Sequence, residues 1–357
     1  MASRMFAATR KGLMEYRRNG TNWDHARTHF IGDPVANLLV DDRDDALYAA
    51  LDLGHFGVKL HRSRDGGESW QELDPPKYPK GGDGAPSLVL LWTMAAGGPD
   101  QPGRLWAGTL PGGLFRSDDH GETWSMVESL WNMPDREKWF GGGTDVPGLH
   151  SICVDPRDSR RIAIAVSCGG TWVSEDDGES WRVCSHGMWA EYVPPEAKFD
   201  PVTQDPHIMV QCAAAPDVYW VQHHNGIFRC GDNLESWQEV TGVPVSNFGF
   251  AVAVHPHDPN TAWFAPALDD AARYPVDGKV VVMRTKDGGK SFDVIREGLP
   301  QNQAYDLVYR HGLAVDDTGN ELLMGSTTGS LWFTADGADS WTLVNAHLPP
   351  VYAVKFG

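Results

Sequence analysis

Histidines recur in short segments of this sequence in which apolar and polar residues alternate. The segments HSICVD, HIMVQC and HGLAVD begin with His150, His207 and His311, and VQHHNGIF contains the adjacent pair His223 and His224. Neutral imidazoles are common Zn²⁺ ligands, and three protein ligands with an open water position are typical of catalytic zinc. Such a metal lowers the pKa of its bound water to about 7 and makes hydroxide available. These residues therefore indicate a metal-assisted hydrolytic site, provided that the fold brings the rings together.

The elements that must position these histidines are shown by a repeated motif, S/T-x-D-x-G-x-S/T-W. Successive copies end 47 to 57 residues apart, at Trp23, Trp70, Trp124, Trp181, Trp237, Phe292 and Trp341. The copies that end at Trp23 and Trp237 are degenerate. In the clear copies Asp and Gly supply a turn, because the carboxylate accepts backbone N–H groups and Gly tolerates positive φ. We therefore interpret their aspartates as structural residues and not as catalytic acids: Asp65, Asp119, Asp176, Asp287 and Asp336.

Four short strands are predicted between successive motifs. In the fourth unit they are HSICVDP, RIAIAVS, TWVSED and WRVCS. Seven units of four strands predict an all-β fold, a single seven-bladed β-propeller domain over residues 1–357. The first unit begins at RMFAATR and lacks an inner strand, while the segment Val351–Phe356 is left over at the C-terminus. We expect this C-terminal strand to join the N-terminal blade, which removes an exposed sheet edge.

The motif resembles the Asp-box, or BNR repeat, of β-propellers such as sialidases, sortilin-type receptors and xyloglucan-active glycosidases. The whole sequence is similar to a bacterial group of Asp-box proteins described as sialidase-like or glycosyl hydrolase. The segments QDPH, QHHNGIF, AYDLVYRHGL and AHLPPVY carry this similarity. The resemblance supports the propeller fold and says little about the reaction.

Alignment of the blades on their motif tryptophans places the histidines on one face. His223 and His224 fall at the top of the second strand of blade five, while His150, His207 and His311 begin inner strands near the expected tunnel mouth. Adjacent strand residues point to opposite faces, so one member of the pair should lean toward His207. We favour His223, although an Asn-Gly turn after the pair could rotate His224 inward.

The metal hypothesis takes its ligands from adjacent blades. We expect His150, His207 and one of His223 and His224 to bind a divalent transition metal, most simply zinc. His311 or Asp52 would serve as a fourth ligand or as a base. The alternative is that the imidazoles are hydrogen-bonded fillers of a polar tunnel, or substrate donors without a metal.

Three long insertions, at residues 128–148, 186–204 and 265–279, are candidates for binding loops. Aromatic and charged residues of these insertions, and of the upper loops of other blades, are candidate substrate contacts. The alternative is that the aromatic residues pack onto the rim and that the charged residues lie in solvated turns. The candidates are Arg10, Lys11, His55, Trp139, Trp189, Arg273 and Tyr305.

Composition narrows the partners. The formal net charge of −18 argues against nucleic acid or an anionic membrane, because phosphate binding needs clustered Lys and Arg. The five cysteines form no CxxC pair, and the N-terminal segment has no signal-peptide pattern. We therefore expect a cytoplasmic protein with reduced thiols and a small-molecule substrate, and the oligomeric state stays open.

Three functions compete on this basis. The first, which we adopt, is a hydrolase at the tunnel mouth in which a His-bound metal activates water toward a small ester, lactone or glycoside, with Asp52, Asp306 or His311 as base. The second is a metal-independent, sialidase-like glycosidase with paired carboxylates from Asp52, Asp145, Asp205 and Asp306. The resemblance to sialidases implies six blades, an Arg-Ile-Pro motif and an arginine triad, which this sequence does not match. The third is a non-catalytic scaffold that resembles the single-propeller photosystem II assembly factors.

Overall fold

The computed structural model describes residues 2–80 and 85–357, and in these residues β-strands dominate. The strands of the first half are β1 (Arg4–Thr9), β2 (Gly12–Asn19), β3 (Asn22–His29), β4 (Val35–Asp41), β5 (Ala46–Asp52), β6 (Val58–Ser63), β7 (Gln71–Leu73), β8 (Leu90–Ala96), β9 (Leu105–Leu110), β10 (Leu114–Ser117), β11 (Ser125–Met126), β12 (Leu149–Val154), β13 (Ile162–Val166), β14 (Gly170–Ser174) and β15 (Arg182–Val183). Those of the second half are β16 (Pro206–Gln211), β17 (Tyr219–His223), β18 (Gly226–Cys230), β19 (Gln238–Glu239), β20 (Gly249–Val254), β21 (Ala262–Pro266), β22 (Val282–Thr285), β23 (Asp293–Ile295), β24 (Leu313–Val315), β25 (Leu322–Gly325), β26 (Leu331–Thr334), β27 (Thr342–Asn345) and β28 (Val351–Phe356).

Among the residues that the structure describes, helical structure is confined to short segments in the loops. The insertion at residues 128–148 contains one α-helical turn, α1 (Glu128–Trp131), and a 3-10 helix at Pro134–Lys138. Further 3-10 turns lie at Gly54–Phe56, Pro195–Ala197 and Val276–Gly278. In the described part of the chain, no helix has the length and apolar character needed to cross a membrane.

The strands form seven four-stranded antiparallel sheets, and this confirms the all-β, seven-bladed propeller fold. Six of these sheets contain four consecutive strands, from β4–β7 through β24–β27. The seventh has the order β28-β1-β2-β3, and in it Ala7 pairs with Val354 and Ala8 with Ala353. The prediction that the C-terminal strand completes the N-terminal blade is therefore confirmed.

Internal contacts divide the chain into two compact units. One consists of the N-terminal residues to Val35 together with His207–Gly357, and the other of Ala36–Pro206. We refer to them as the terminal unit and the middle unit, and each is described by itself. The assignment of residues 1–357 to one domain stays a prediction.

The repeated motif forms the predicted turn, as its copy at residues 174–181 shows. Asp176 accepts hydrogen bonds from Ser174 Oγ at 2.8 Å, from the Ser180 backbone N–H at 2.9 Å and from Ser180 Oγ at 2.6 Å. Gly178 follows with a φ of 88°, which favours glycine. Trp181 then packs against a buried cluster that includes Trp172. Equivalent bonds at Asp65, Asp119, Asp287 and Asp336 confirm the structural interpretation of these aspartates.

Several inner strands share a bulge near their first residues. The register shifts at Trp92 in β8, at His150 in β12, at Phe250 in β20 and at Tyr352 in β28. A bulge leaves one residue outside the regular pairing and re-aims its side chain. This repeated position carries a ring in each of the four strands, and in β20 it supplies Phe250 to the candidate site.

Candidate functional site

His207 is a buried histidine of the candidate site in the terminal unit. It lies in β16, is buried, and its ring stacks on Phe250 with 4.4 Å between centroids. Its Nδ1 lies 2.6 Å from the backbone carbonyl oxygen of Gly249. Because a carbonyl oxygen only accepts, Nδ1 carries the proton, and in a neutral ring Nε2 then carries the lone pair.

The adjacent histidines separate at a hairpin turn. His223 pairs with Gly226, so the two turn residues are His224 and Asn225, and the expected Asn-Gly turn is shifted by one residue. The buried His223 ring faces Phe228, and its Nδ1 accepts the backbone N–H of Asn225 at 3.1 Å. As a turn residue, His224 does not follow the strand alternation.

His224, the member of the pair that strand alternation did not favour, lies beside His207. The two ring centroids are 5.5 Å apart, and one ring nitrogen from each residue lies within 4.8 Å of the other. His224 Nε2 is also 3.5 Å from Oδ2 of Asp270, an ion-pair distance. We call His207 and His224 the histidine pair. Each ring has a second polar neighbour of the kind that orients metal-ligating histidines.

The position of Asp270 follows from the fold of the 265–279 insertion. Asp269 Oδ1 accepts the backbone N–H of Ala272 at 2.6 Å, and Leu268 N donates to the carbonyl oxygen of Tyr274 at 2.9 Å. Arg273 Nε donates to the carbonyl oxygen of Asp270 at 3.0 Å. These local bonds close a tight loop next to the histidine pair, which the insertion length suggested but its sequence did not define.

Aromatic and cationic side chains surround the histidine pair in the terminal unit. Phe248 and Phe250 lie edge-to-face at 5.3 Å, and Phe248 is 5.7 Å from His224. Arg273 and Arg310 place their guanidinium carbons 5.5 Å and 5.4 Å from the centroid of Phe250. Arg310 was missed from the sequence, although its place beside His311 in AYDLVYRHGL was a usable signal.

Other predicted residues of the terminal unit lie in loops and at strand starts. Asp306 Oδ1 accepts Ser326 Oγ at 2.7 Å. Tyr305 is 67% exposed, and its ring is 6.0 Å from that of Tyr274. The His311 carbonyl oxygen accepts the N–H of Val354 at 2.9 Å, which ties this segment to β28.

Two predicted cations of the terminal unit, Arg10 and Lys11, are exposed in the turn between β1 and β2. The backbone N–H of Arg10 donates to Pro350 O, and that of Lys11 donates to Thr9 Oγ1. The backbone of both residues is thus held in a tight turn.

The middle unit contains His150, Asp52 and His55. His150 is fully buried, with Nδ1 2.9 Å from Ser151 Oγ and its ring 5.6 Å from that of Trp92. Asp52 ends β5 and accepts the N–H of Gly54 at 3.2 Å. His55 follows in an exposed 3-10 turn.

The two tryptophans proposed to bind substrate lie in different settings of the middle unit. Trp139 is only 7% exposed and packs 5.9 Å from Trp172, in the hydrophobic core of this unit. Trp189 is half-buried, and Lys198 Nζ lies 4.6 Å from its ring centroid. The position of Trp139 thus corresponds to the alternative of loop packing.

Asp205 anchors a turn in the middle unit. Its Oδ1 accepts Ser167 Oγ and the backbone N–H of Cys168, both at 3.0 Å, and Cys168 has a left-handed φ of 48°. Burial, followed by the charge of Asp205, raises the pKa of Tyr192 far above its ordinary value. Asp205 immediately precedes β16, the strand that carries His207.

Comparisons with known proteins agree on the architecture. A model of the BNR/Asp-box repeat matches residues 115–126. A xyloglucanase from a Paenibacillus species is 24% identical over 264 residues, covering 66% of this chain and 23% of its own length. A sialidase from Bacteroides fragilis is 28% identical over 163 residues, covering 36% of this chain and 29% of its own length. The chain thus spans less than a third of each of these relatives.

Solved structures extend the likeness across almost the whole chain. The GH74 xyloglucanase from Xanthomonas campestris superposes with a TM-score of 0.67 at 20% identity, over 97% of this chain and 53% of its own. YCF48 bound to a D1 peptide superposes with a TM-score of 0.57 at 15% identity, over 94% of this chain and 93% of its own. At these identities the likeness shows the propeller fold alone.

Proposed function

We propose that this protein is a hydrolase that uses a divalent transition metal, most simply zinc, held by the histidine pair. The observation that carries the proposal is the approach of His207 and His224, whose ring nitrogens lie within 4.8 Å of each other. Zinc–nitrogen bonds are about 2.0 Å long, so two nitrogens on one ion lie at most about 4 Å apart, and a small rotation of the rings would bring this pair onto one ion.

The neighbours of the two rings support the same interpretation. The bond from His207 Nδ1 to Gly249 O leaves Nε2 as the nitrogen with the lone pair, and Asp270 lies beside His224 Nε2.

The chemistry of such a site is activation of water for attack on an ester, a lactone or a glycoside-type bond. The names of the relatives, xyloglucanase and sialidase, support hydrolysis and favour a sugar substrate. The protein's own residues would bind and orient the substrate, since Phe248, Phe250 and Arg273 line the surroundings of the histidine pair. Asp306 and His311 stay candidates for the base.

We also propose a cytoplasmic location and a small-molecule substrate. All five cysteines are free thiols, which fits a reducing compartment. The net charge of −18 disfavours nucleic acid and anionic lipid as partners.

The test is metal analysis of the full chain purified without chelators. We expect close to one transition metal ion per chain, with loss of the metal in His207→Ala and in His224→Ala. The matched control is His347→Ala, because His347 is an exposed histidine that is not part of the histidine pair. Retention of metal by both variants, or its absence from the wild-type protein, would refute the metal site.

Assays of turnover and of peptide binding separate the two other functions. Turnover of a glycoside that survives chelation but is lost in Asp306→Asn would favour the carboxylate glycosidase. The absence of turnover, together with binding of a peptide, would favour a scaffold, the function suggested by the likeness to YCF48 bound to a D1 peptide.

A further inference from the structure

The ring of Phe250 lies at the centre of a group of cationic and titratable side chains in the terminal unit. His207 stacks on it at 4.4 Å, with 15° between the ring planes. The guanidinium carbons of Arg273 and Arg310 both lie within 5.5 Å of the same centroid. Two arginines are therefore gathered directly beside the histidine pair.

Arg273 differs from Arg18, which also lies against a ring. Arg18 lies 4.4 Å from the centroid of Trp23 and forms a 2.6 Å ion pair with Glu321. Within residues 2–80 and 85–357, the polar contact of Arg273 is one hydrogen bond, from Nε to the carbonyl oxygen of Asp270. Its two terminal nitrogens thus form no ion pair with the described residues, in a chain with 48 acidic and 30 basic residues.

A guanidinium group presents a planar fork of donors that matches the oxygens of a carboxylate or a phosphate. The net charge of −18 repels anions at long range, so an anionic ligand needs local cations to bind. Arg273 is exposed on a loop, which leaves its side chain accessible from solvent.

The same loop connects this cation to the histidine pair. Arg273 braces the backbone of Asp270, and the carboxylate of Asp270 lies 3.5 Å from His224 Nε2. The ring of the following residue, Tyr274, lies 6.0 Å from the exposed ring of Tyr305, with 49° between the ring planes. The negative charge of Asp270 faces His224, and not the terminal nitrogens of Arg273.

We propose that the ligand of this site carries an oxyanionic group, a carboxylate or a phosphate, which Arg273 and Arg310 bind next to Phe250. The inference rests on the hydrolase proposed above and adds the charge of its substrate. It predicts that anion binding and metal binding can be lost separately, because arginines bind the anion and histidines bind the metal.

The experiment is isothermal titration of the full chain with glucuronate, with glucose and with inorganic phosphate. We expect glucuronate or phosphate to bind, glucose to bind at least about 10-fold more weakly, and Arg273→Gln to weaken anion binding by about 10-fold or more. Arg273→Lys should restore part of the affinity, because it keeps the charge and loses the fork. The control is Arg296→Gln, since Arg296 is exposed and donates to the carbonyl oxygen of Val294.

Because glucuronate and phosphate are titrated separately, the anion that binds identifies whether the site recognises a carboxylate or a phosphate group. Equal affinity for glucuronate and glucose, an unchanged affinity in Arg273→Gln, or no binding of either anion would overturn the inference. Metal content distinguishes it from the proposed function. Loss of anion binding in Arg273→Gln without any bound metal in the wild-type protein would refute the metal hydrolase alone, while metal binding with an unaffected Arg273→Gln would refute the anion site alone.

Discussion

Replacement of Glu15 by glutamine should destabilise the sheet that contains both ends of the chain. The Glu15 side chain in β2 is 0% exposed, and its Oε1 accepts hydrogen bonds from Nε of Arg4 and of Arg17, both at 3.1 Å. Its Oε2 lies 3.1 Å from Nε2 of the buried His29 in β3. One buried carboxylate therefore pairs with two arginines and contacts the imidazole of His29, whose pKa burial lowers.

The expected cost of Glu15→Gln is about 3 kcal/mol in the free energy of unfolding. Removal of one partner from a buried ion pair costs about 3–5 kcal/mol. The lower end applies because Arg17 is 55% exposed and regains water when its partner is lost. An unfolding entropy of about 2.1 cal/mol/K per residue over 357 residues gives about 1.3 °C per kcal/mol, so the melting temperature should fall by about 4 °C.

The pH dependence provides a second, independent check. Burial raises the pKa of Glu15, but the hydrogen bond from Arg17 and the charge of Arg4 outweigh it, so the pKa lies below its ordinary value of 4.5. A group whose folded-state pKa is lowered contributes stability that is present above the unfolded pKa and is lost as pH falls through the folded value. The difference in the free energy of unfolding between wild type and variant should therefore be largest near neutral pH and should decrease in acid below pH 4.5.

The assay is thermal unfolding followed by circular dichroism across this pH range, with Glu72→Gln as the matched control. Glu72 pairs with Lys59 but is 54% exposed, so its loss should cost about 0.5 kcal/mol or less. Equal destabilisation by the two substitutions would refute the buried-cluster reasoning. A difference in the free energy of unfolding between wild type and Glu15→Gln that stays constant in acid would also refute it.

Three further predictions concern closure, the repeated motif and the thiols. Deletion of Val351–Gly357 removes the partner of β1 and should leave a chain that aggregates in size-exclusion chromatography, and a soluble, folded monomer would contradict this. Asp119→Ala removes three hydrogen bonds from Ser117 and Thr123 and should cost about 2 kcal/mol in chemical denaturation, and an unchanged midpoint would argue against the structural role. Burial raises the pKa of Cys230 to about 11, so its thiol should resist iodoacetamide at pH 8 until the chain unfolds, as mass spectrometry of labelled peptides would show, and rapid native labelling would refute this.

The fold was predictable because its signals are local. Alternating apolar residues mark strands, and the turn chemistry of each motif is carried within eight residues, as Asp176 and Ser180 show. Counting these units determined the number of blades. The missing first strand and the surplus segment Val351–Phe356 then left one way to complete the N-terminal sheet.

The candidate site was predictable only in part, because its geometry depends on register and packing. Strand alternation favoured His223, but the pairing of His223 with Gly226 makes His224 a turn residue and directs it toward His207. Trp139 has the composition of a sugar-binding residue, yet it contacts Trp172 in a hydrophobic core. The sequence pattern predicts neither the one-residue shift of the turn at His224 nor the packing of Trp139 against Trp172.

The sequence by itself determined the seven Asp-box hairpins, the strand order and the residue types available for chemistry, since each of these depends on neighbours within a few residues. Only the tertiary structure decided which histidines meet, how Asp270 reaches His224, and that Arg273 and Arg310 converge on Phe250. Those contacts join β16, β17, β20, the 265–279 insertion and the segment before β24, which lie up to about a hundred residues apart. Such pairings depend on how separate strands and loops pack, and a pattern of local periodicity carries no information about them.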